Sequence, residues 1–339
     1  MATLSTTMPT LLDHAKVFGP DRKVAKIVEL LSQSNSSLQD MVMKEGNLPT
    51  GEQTTIRTGL PAVYWRLTNQ GTPPSKSTTA QTVENAAMLV ARCHADVDIA
   101  TLNGDVSAYR AQIASAVMES MAQEMESTLF YGAATSPEEF VGFANRYTAL
   151  TGEANSENVL DAGGTGTDNS SAWLIGWGMD TICGVYPKGS KAGISHEDIG
   201  IDDVDDADGN PFRAYKDEFK WKCGLVVKDW RYGVRIANID NSELVAGTGT
   251  QATTAATNIV KMMSRAIDRI PNQNRCKLAF YVNRTVASHL RVQALSFSNS
   301  AIAIQPALNQ FGNTIQQLTF LGVPVRLSDS LTSAEAQVT

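Results

Sequence analysis

NGDVSAYRAQIASAVMESMAQEMESTLFYG, residues 103–132, is the stretch on which the fold turns. Val106, Tyr109, Ile113, Val117, Met121, Met125 and Leu129 recur every three to four residues, the spacing of a single helix face. Asn103-Gly104-Asp105 supplies the start signal, since a short polar side chain can accept the unpaired amides of a first turn. About 25 residues at ~1.5 Å rise each predict a rod of roughly 40 Å. That is longer than the three to four turns usual in globular proteins.

Working upstream, residues 51–98 read as a long two-stranded excursion. Gly59 and Pro61 interrupt its start. Ala62 to Thr68, containing Val63, Tyr64 and Trp65, is rich in β-formers and is expected to be the outgoing strand. Gln70 to Ser77, with Gly71, Pro73 and Pro74, is expected to be the loop tip. The return strand alternates from Val83 to Val97, with Ala87, Leu89, Ala91, Cys93 and Ala95 on one face and Glu84, Arg92, His94 and Asp96 on the other. A lone hairpin of this length is marginal in water, so a partner surface must complete it. Residues 1–50 read as an arm. Asp21 caps a short helix bearing Val24, Ile27, Val28 and Leu31, and Ser32 to Ser37 is a flexible joint.

Downstream, residues 133–250 are mixed, with short β-like runs at Ala172 to Trp177, Phe219 to Val227 and Tyr232 to Ile239. A second helix spans about Thr253 to Ile270, stopped by Pro271, with Ile259, Met262, Met263, Ala266 and Ile267 on its apolar face. Strands follow at Lys277 to Val282 and Leu318 to Leu327. The class is α+β.

The chemistry-bearing residues do not assemble into a motif. Among 339 residues, 42% are apolar and 19% charged, the composition of a folded globular chain. Net charge is −7, which disfavours broad nucleic-acid or anionic-membrane contact. Cys93, Cys183, Cys223 and Cys276 form no CxxC pair and read as small core residues in a reducing compartment. No run is long and apolar enough for a membrane helix, and the first residues do not read as a secretion signal. In DDVDDADGN, residues 202–210, placing Gly209 at the sixth position of a calcium loop puts Val204 first and Tyr215 twelfth, where carboxylates are needed. This reads as an acidic turn between strands. Gly163-Gly164-Thr165-Gly166 lacks the Lys and Ser/Thr of a phosphate loop and reads as a connector. Ser195-His196-Glu197 are neighbours in sequence, which does not make a triad. No catalytic residue, metal or cofactor is expected. Charge is segregated instead: Arg57, Arg66 and Lys76 stand without an acid between Gln53 and Val83, and seven acids without a base lie between Glu197 and Asp208.

Local sequence resembles one family. Lys44-Glu45-Gly46-Asn47-Leu48-Pro49-Thr50-Gly51, Tyr64-Trp65-Arg66-Leu67-Thr68-Asn69-Gln70-Gly71, Tyr186-Pro187-Lys188-Gly189, Trp221-Lys222-Cys223-Gly224-Leu225, Asp229-Trp230-Arg231-Tyr232 and Leu321-Gly322-Val323-Pro324-Val325-Arg326 resemble segments of tailed-bacteriophage major capsid proteins, across essentially the whole chain. The resemblance implies an N-terminal arm (1–50), an extended loop (51–98), a peripheral domain with a spine helix (99–132), an axial domain (133–250), and a closing region with the second peripheral helix and an axial strand (251–339). It implies a shell subunit and not an enzyme: pentamers and hexamers of an icosahedral virion head around double-stranded DNA, assembled in the host cytoplasm. A separate scaffolding protein, a portal and a decoration protein are its expected partners, and no membrane. An encapsulin-like compartment subunit is the alternative. The expected subunit-interface residues are Arg57, Tyr64, Trp65, Arg66 and Lys76 on the loop, facing Glu119, Glu124 and Glu126 on the helix or the acids at 197–208.

Overall fold

The computed structural model describes residues 33–102, 105–205, 209–245, 250–295, 302–308 and 314–339. In chain order the elements are α1 (Ser36–Asp40), β1 (Met43–Glu45), β2 (Gly51–Gly59), β3 (Thr78–Asn85), β4 (Ala87–Asp96), α2 (Val97–Thr101), α3 (Val106–Tyr131), β5 (Val159–Asp161), β6 (Asn169–Trp177), β7 (Ile182–Tyr186), β8 (Ile194–Asp205), β9 (Pro211–Val227), β10 (Gly233–Asp240), α4 (Asn241–Val245), α5 (Thr250–Arg269), β11 (Lys277–Val282), α6 (Arg284–Leu295), β12 (Ile302–Leu308), β13 (Thr314–Phe320) and β14 (Val323–Leu327).

α3 is the expected rod, and its 26 residues span about 39 Å. Asp105 caps it, its carboxylate accepting from the Ala108 amide at 3.0 Å. Asn103 and Gly104 lie outside the described residues. The predicted face is the packed one: Tyr109, Met121, Met125 and Leu129 are buried. The helix serves two layers. Roughly its first four turns lie on a sheet of β4, β9 and β8, through Tyr109 against Ala95 and Met121 against Cys93 and Phe219. Its last turns enter the main core.

That core is built around β6, all nine residues of which are buried between β10 and β11. A strand buried on both faces reads as a continuous apolar run, which is why Ala172–Trp177 is legible in the sequence. Trp173 meets the rings of Phe130, Phe143 and Tyr147 at 6.3, 5.7 and 5.9 Å. The predicted face of α5 is buried on the same core, against β10, through Ile259, Met263 and Ala266. The 17-residue β9 joins the layers, pairing β7 at one end and both β4 and β8 along the rest.

Four expectations are corrected. Ala62 to Thr68 is not a strand. The outgoing strand is β2, which pairs with β3 from Gly51↔Asn85 to Gly59↔Thr78. The Thr-rich runs 54–58 and 78–82 supply facing β-branched residues, whereas Ala62–Thr68, between Pro61 and the positive φ of Asn69, has no facing strand. The return strand is two strands, because pairing passes from β2 to β9 at Ala86. The described part of the joint is pinned and not flexible, since Asn35 bridges Ser328 and Ser37 is buried. Leu318–Leu327 is a hairpin turned at Leu321 and Gly322, whose φ values are 48° and 84°. The helix expected after Asp21 and the acids Asp206 and Asp208 lie outside the described residues.

Candidate assembly surface

The hairpin β2–β3 carries residues 60–77 away from the body. Val63 is 91% exposed and Trp65 104%, and Leu60 and Leu67 are also exposed. Tyr64, half exposed, sits beside them. A tryptophan buries ~150–250 Å² when covered, worth about 4–6 kcal/mol at ~25 cal/mol per Å². Five large apolar or aromatic side chains exposed in one run make this the candidate surface for a partner. Arg57, Arg66 and Lys76 have no ion-pair partner among the described residues.

The base of the hairpin is fixed. Asn47 brackets Gln53, accepting from its amide at 2.8 Å and donating to its carbonyl at 2.7 Å. Arg146 grips Glu84 through two bonds of 2.6 and 2.7 Å. Buried Glu52 accepts from Lys44 at 2.8 Å and pairs with Lys228 at 3.1 Å. Burial alone would push the Glu52 carboxyl up, but the two lysines outweigh it and hold it low. Gly51, at φ 155°, lies so close to strand β3 that a Cβ would sit 2.0 Å from the Glu84 carbonyl oxygen. The tip is thus presented from a rigid root.

The expected acidic counterparts differ in availability. Glu126 is fully buried and bonded within its own subunit, so it is removed from the neighbour-facing set. Glu119 accepts from the Gln33 amide at 3.0 Å and from Gln123 at 2.9 Å. Three of the five acids of β8, an element the sequence does not reveal, are paired locally: Asp198 with Arg110 at 2.8 Å, Asp202 with Lys216 at 2.7 Å and Glu197 with Lys220 at 3.4 Å. The Arg110 hydrogen bond holds Asp198 below the usual carboxylate range. Glu124 stands apart. It lines an open cleft of about 200 Å³ whose floor includes Leu89, Met125 and Phe140 and whose rim adds Glu138 and Glu139. Neither Glu124 nor Glu138 has an ion-pair partner among the described residues. No local pattern marks this grouping, because Glu138 and Glu139 follow the helix in an irregular segment.

The motifs that tempted a chemical reading resolve structurally. Ser195 Oγ donates to the Lys220 carbonyl, while His196 faces Asp217 at 2.8 Å and stacks on Phe219. Gly163, at φ 95°, forms part of the turn between β5 and β6. Cys93, Cys183 and Cys223 are buried free thiols, and burial pushes Cys223 up to about 12. Among the described residues, no three His, Cys, Asp or Glu side chains are grouped to hold a metal. No described helix is long and apolar enough to cross a membrane.

No curated protein sequence matches the chain. Among solved structures, a chain of the near-atomic structure of bacteriophage Epsilon15 is 27% identical with a TM-score of 0.74, covering 100% of both chains. Weaker likenesses include the bacteriophage JBD30 capsid, 8% identical over 89% of this chain and 92% of that one with a TM-score of 0.45. A Synechococcus elongatus encapsulin is more distant still, 11% identical over 70% and 92% of the two chains with a TM-score of 0.37. The family model of the major capsid protein GP7 matches residues 19–339. The chain belongs to that capsid protein family.

Proposed function

We propose that this major capsid protein builds the virion head from copies of itself, as pentamers and hexamers of an icosahedral shell around double-stranded DNA, assembled in the host cytoplasm. The observation that carries the reading is the loop tip: Trp65, fully exposed, between exposed Val63 and Leu67 on a rigid root. An isolated subunit gains nothing from that display, and a repeating assembly gains a contact at every copy. In this reading residues 1–50 are the arm, 51–98 the extended loop with its return strand, of which 51–85 form the hairpin itself, α3 the spine of the peripheral domain, and most of 133–250 the axial domain. A scaffolding protein, a portal and a decoration protein are the partners the reading carries. The role is structural, with no catalytic step.

The loop has a receptor of matching character on the next copy, the cleft rimmed by Glu124, Glu138 and Glu139. An apolar floor suits Trp65, and unpaired acids suit Arg57, Arg66 and Lys76. Each exposed pair is worth only about 0–1 kcal/mol, but a ring repeats it at every interface. Arg66→Glu should slow or abolish assembly at low salt, and Glu124→Arg in the same chain should restore part of it. Normal assembly of Arg66→Glu at low salt, followed by light scattering, would rule out the charge pairing.

A further inference from the structure

Glu126 lies on the face of α3 that meets the N-terminal segment and the end of β14, and it has no solvent exposure. Its Oε1 accepts from Ser37 Oγ at 2.5 Å, from Ser328 Oγ at 2.9 Å and from the Ser37 amide at 3.3 Å. Its Oε2 is buried without a partner. No cation pairs with it among the described residues. Asp329, beside Ser328, adds a like charge and is occupied by Arg284 at 2.5 Å. On the other packed elements, Asp40 at the end of α1 is held by Lys277 at 2.6 Å and Arg326 at 3.1 Å. Glu119, about two turns earlier on α3, accepts from the Gln33 amide.

An ionised carboxyl is costly in such a place. One oxygen has lost its water and found no donor, and no countercharge offsets the loss. A proton on Oε2 removes the charge and leaves all three donors at Oε1 in place. We infer that Glu126 is the positioning residue of the N-terminal segment and works as a proton-operated latch, holding residues 33–40 between α3 and β14 when protonated and loosening them when ionised.

The remaining ties of that segment are local. Ser36 Oγ donates to the Leu327 carbonyl at 2.7 Å, Asn35 bridges Ser328, and the Ser34 amide donates to Asp329 at 2.9 Å. They converge on the same strand end, so one proton governs how firmly residues 33–40 are held there. Burial first, then the Asp329 charge, pushes the Glu126 carboxyl above its ordinary range, against the opposing serine hydrogen bonds. A carboxyl raised in the closed state holds its proton more tightly there than after release. Closure is therefore complete at and below the ordinary Glu range and is lost as pH rises through the raised value.

The test is hydrogen exchange of amides 34–40 in the full chain, corrected for intrinsic rates, from mildly acidic to mildly alkaline pH. Wild-type protection should fall by about tenfold for each pH unit through the titration window. Glu126→Gln, neutral at every pH, should keep protection and flatten the profile. Ser328→Ala removes a donor that favours the charged form, so it should shift loosening to higher pH. A flat wild-type profile, or a Glu126→Gln profile like that of wild type, overturns the latch. Should Glu126→Gln not fold, Ser328→Ala decides alone: looser at every pH means a merely structural contact and overturns the proposal.

Discussion

Trp173 lies on β6 with no exposure, ringed by Phe130, Phe143 and Tyr147 from α3 and the segment after it. Arg235 lies over its ring, with the guanidinium carbon 5.3 Å from the centroid. Trp65 carries the same side chain at the end of β2–β3 and touches almost nothing of its own chain. The first tryptophan stabilises the subunit. The second can contribute only when another molecule covers it. The two separate a part of the sequence that folds this chain from a part that, in the proposed function, joins it to others.

The sharpest way to break that distinction is to truncate both. Trp173→Ala should cost roughly 3–5 kcal/mol of subunit stability, the range for a large aromatic removed from a packed core. Chemical denaturation of the unassembled chain measures it, and a cost near zero would mean that β6 is not the organising strand. Next in size is Glu335→Ala. Glu335 accepts from Arg235 at 2.9 Å and from Tyr131 at 2.6 Å, and both members of the Arg235–Glu335 pair are buried. Removing it strands a buried guanidinium, for roughly 3 kcal/mol, softened by the bond Arg235 keeps to the Tyr147 carbonyl at 2.8 Å. Loss of that order in the same denaturation experiment would show that the closing segment is part of the core, and no loss would detach it.

The rod, the buried strand and the second helix were legible because each advertises its burial by period: 3.6 for α3 and α5, and a continuous run for β6. The polar elements were not. β8 is acidic and mostly exposed, and it is a strand only because β9 lies beside it from Ile194↔Trp221 to Asp205↔Pro211. Ala62 to Thr68 has strand composition and no partner, so propensity lost to context. Arg57, Tyr64, Trp65, Arg66 and Lys76 group together in the sequence because they lie in one stretch, and the structure leaves all five without an ion pair among the described residues. On the acidic side, only Glu124 of the helix acids combines an open cleft with the absence of an ion pair among the described residues. Glu126 has the same composition and the opposite fate, and helix periodicity does not reveal that two serines, from positions 37 and 328, converge on it. The Asp40 and Glu335 networks join residues far apart in the chain, such as Asp40 to Lys277 and Tyr131 to Glu335, and nothing local marks them.

The smallest expected effect on stability is the most informative for function. Trp65→Ala should leave the stability of the unassembled chain within about 0.5 kcal/mol of wild type, as an exposed side chain should. Electron microscopy of the same variant under assembly conditions then tests the central claim. The wild-type chain should give shells, and a stably folded Trp65→Ala should give free capsomers or subunits. Complete shells from Trp65→Ala, in wild-type yield, would contradict it.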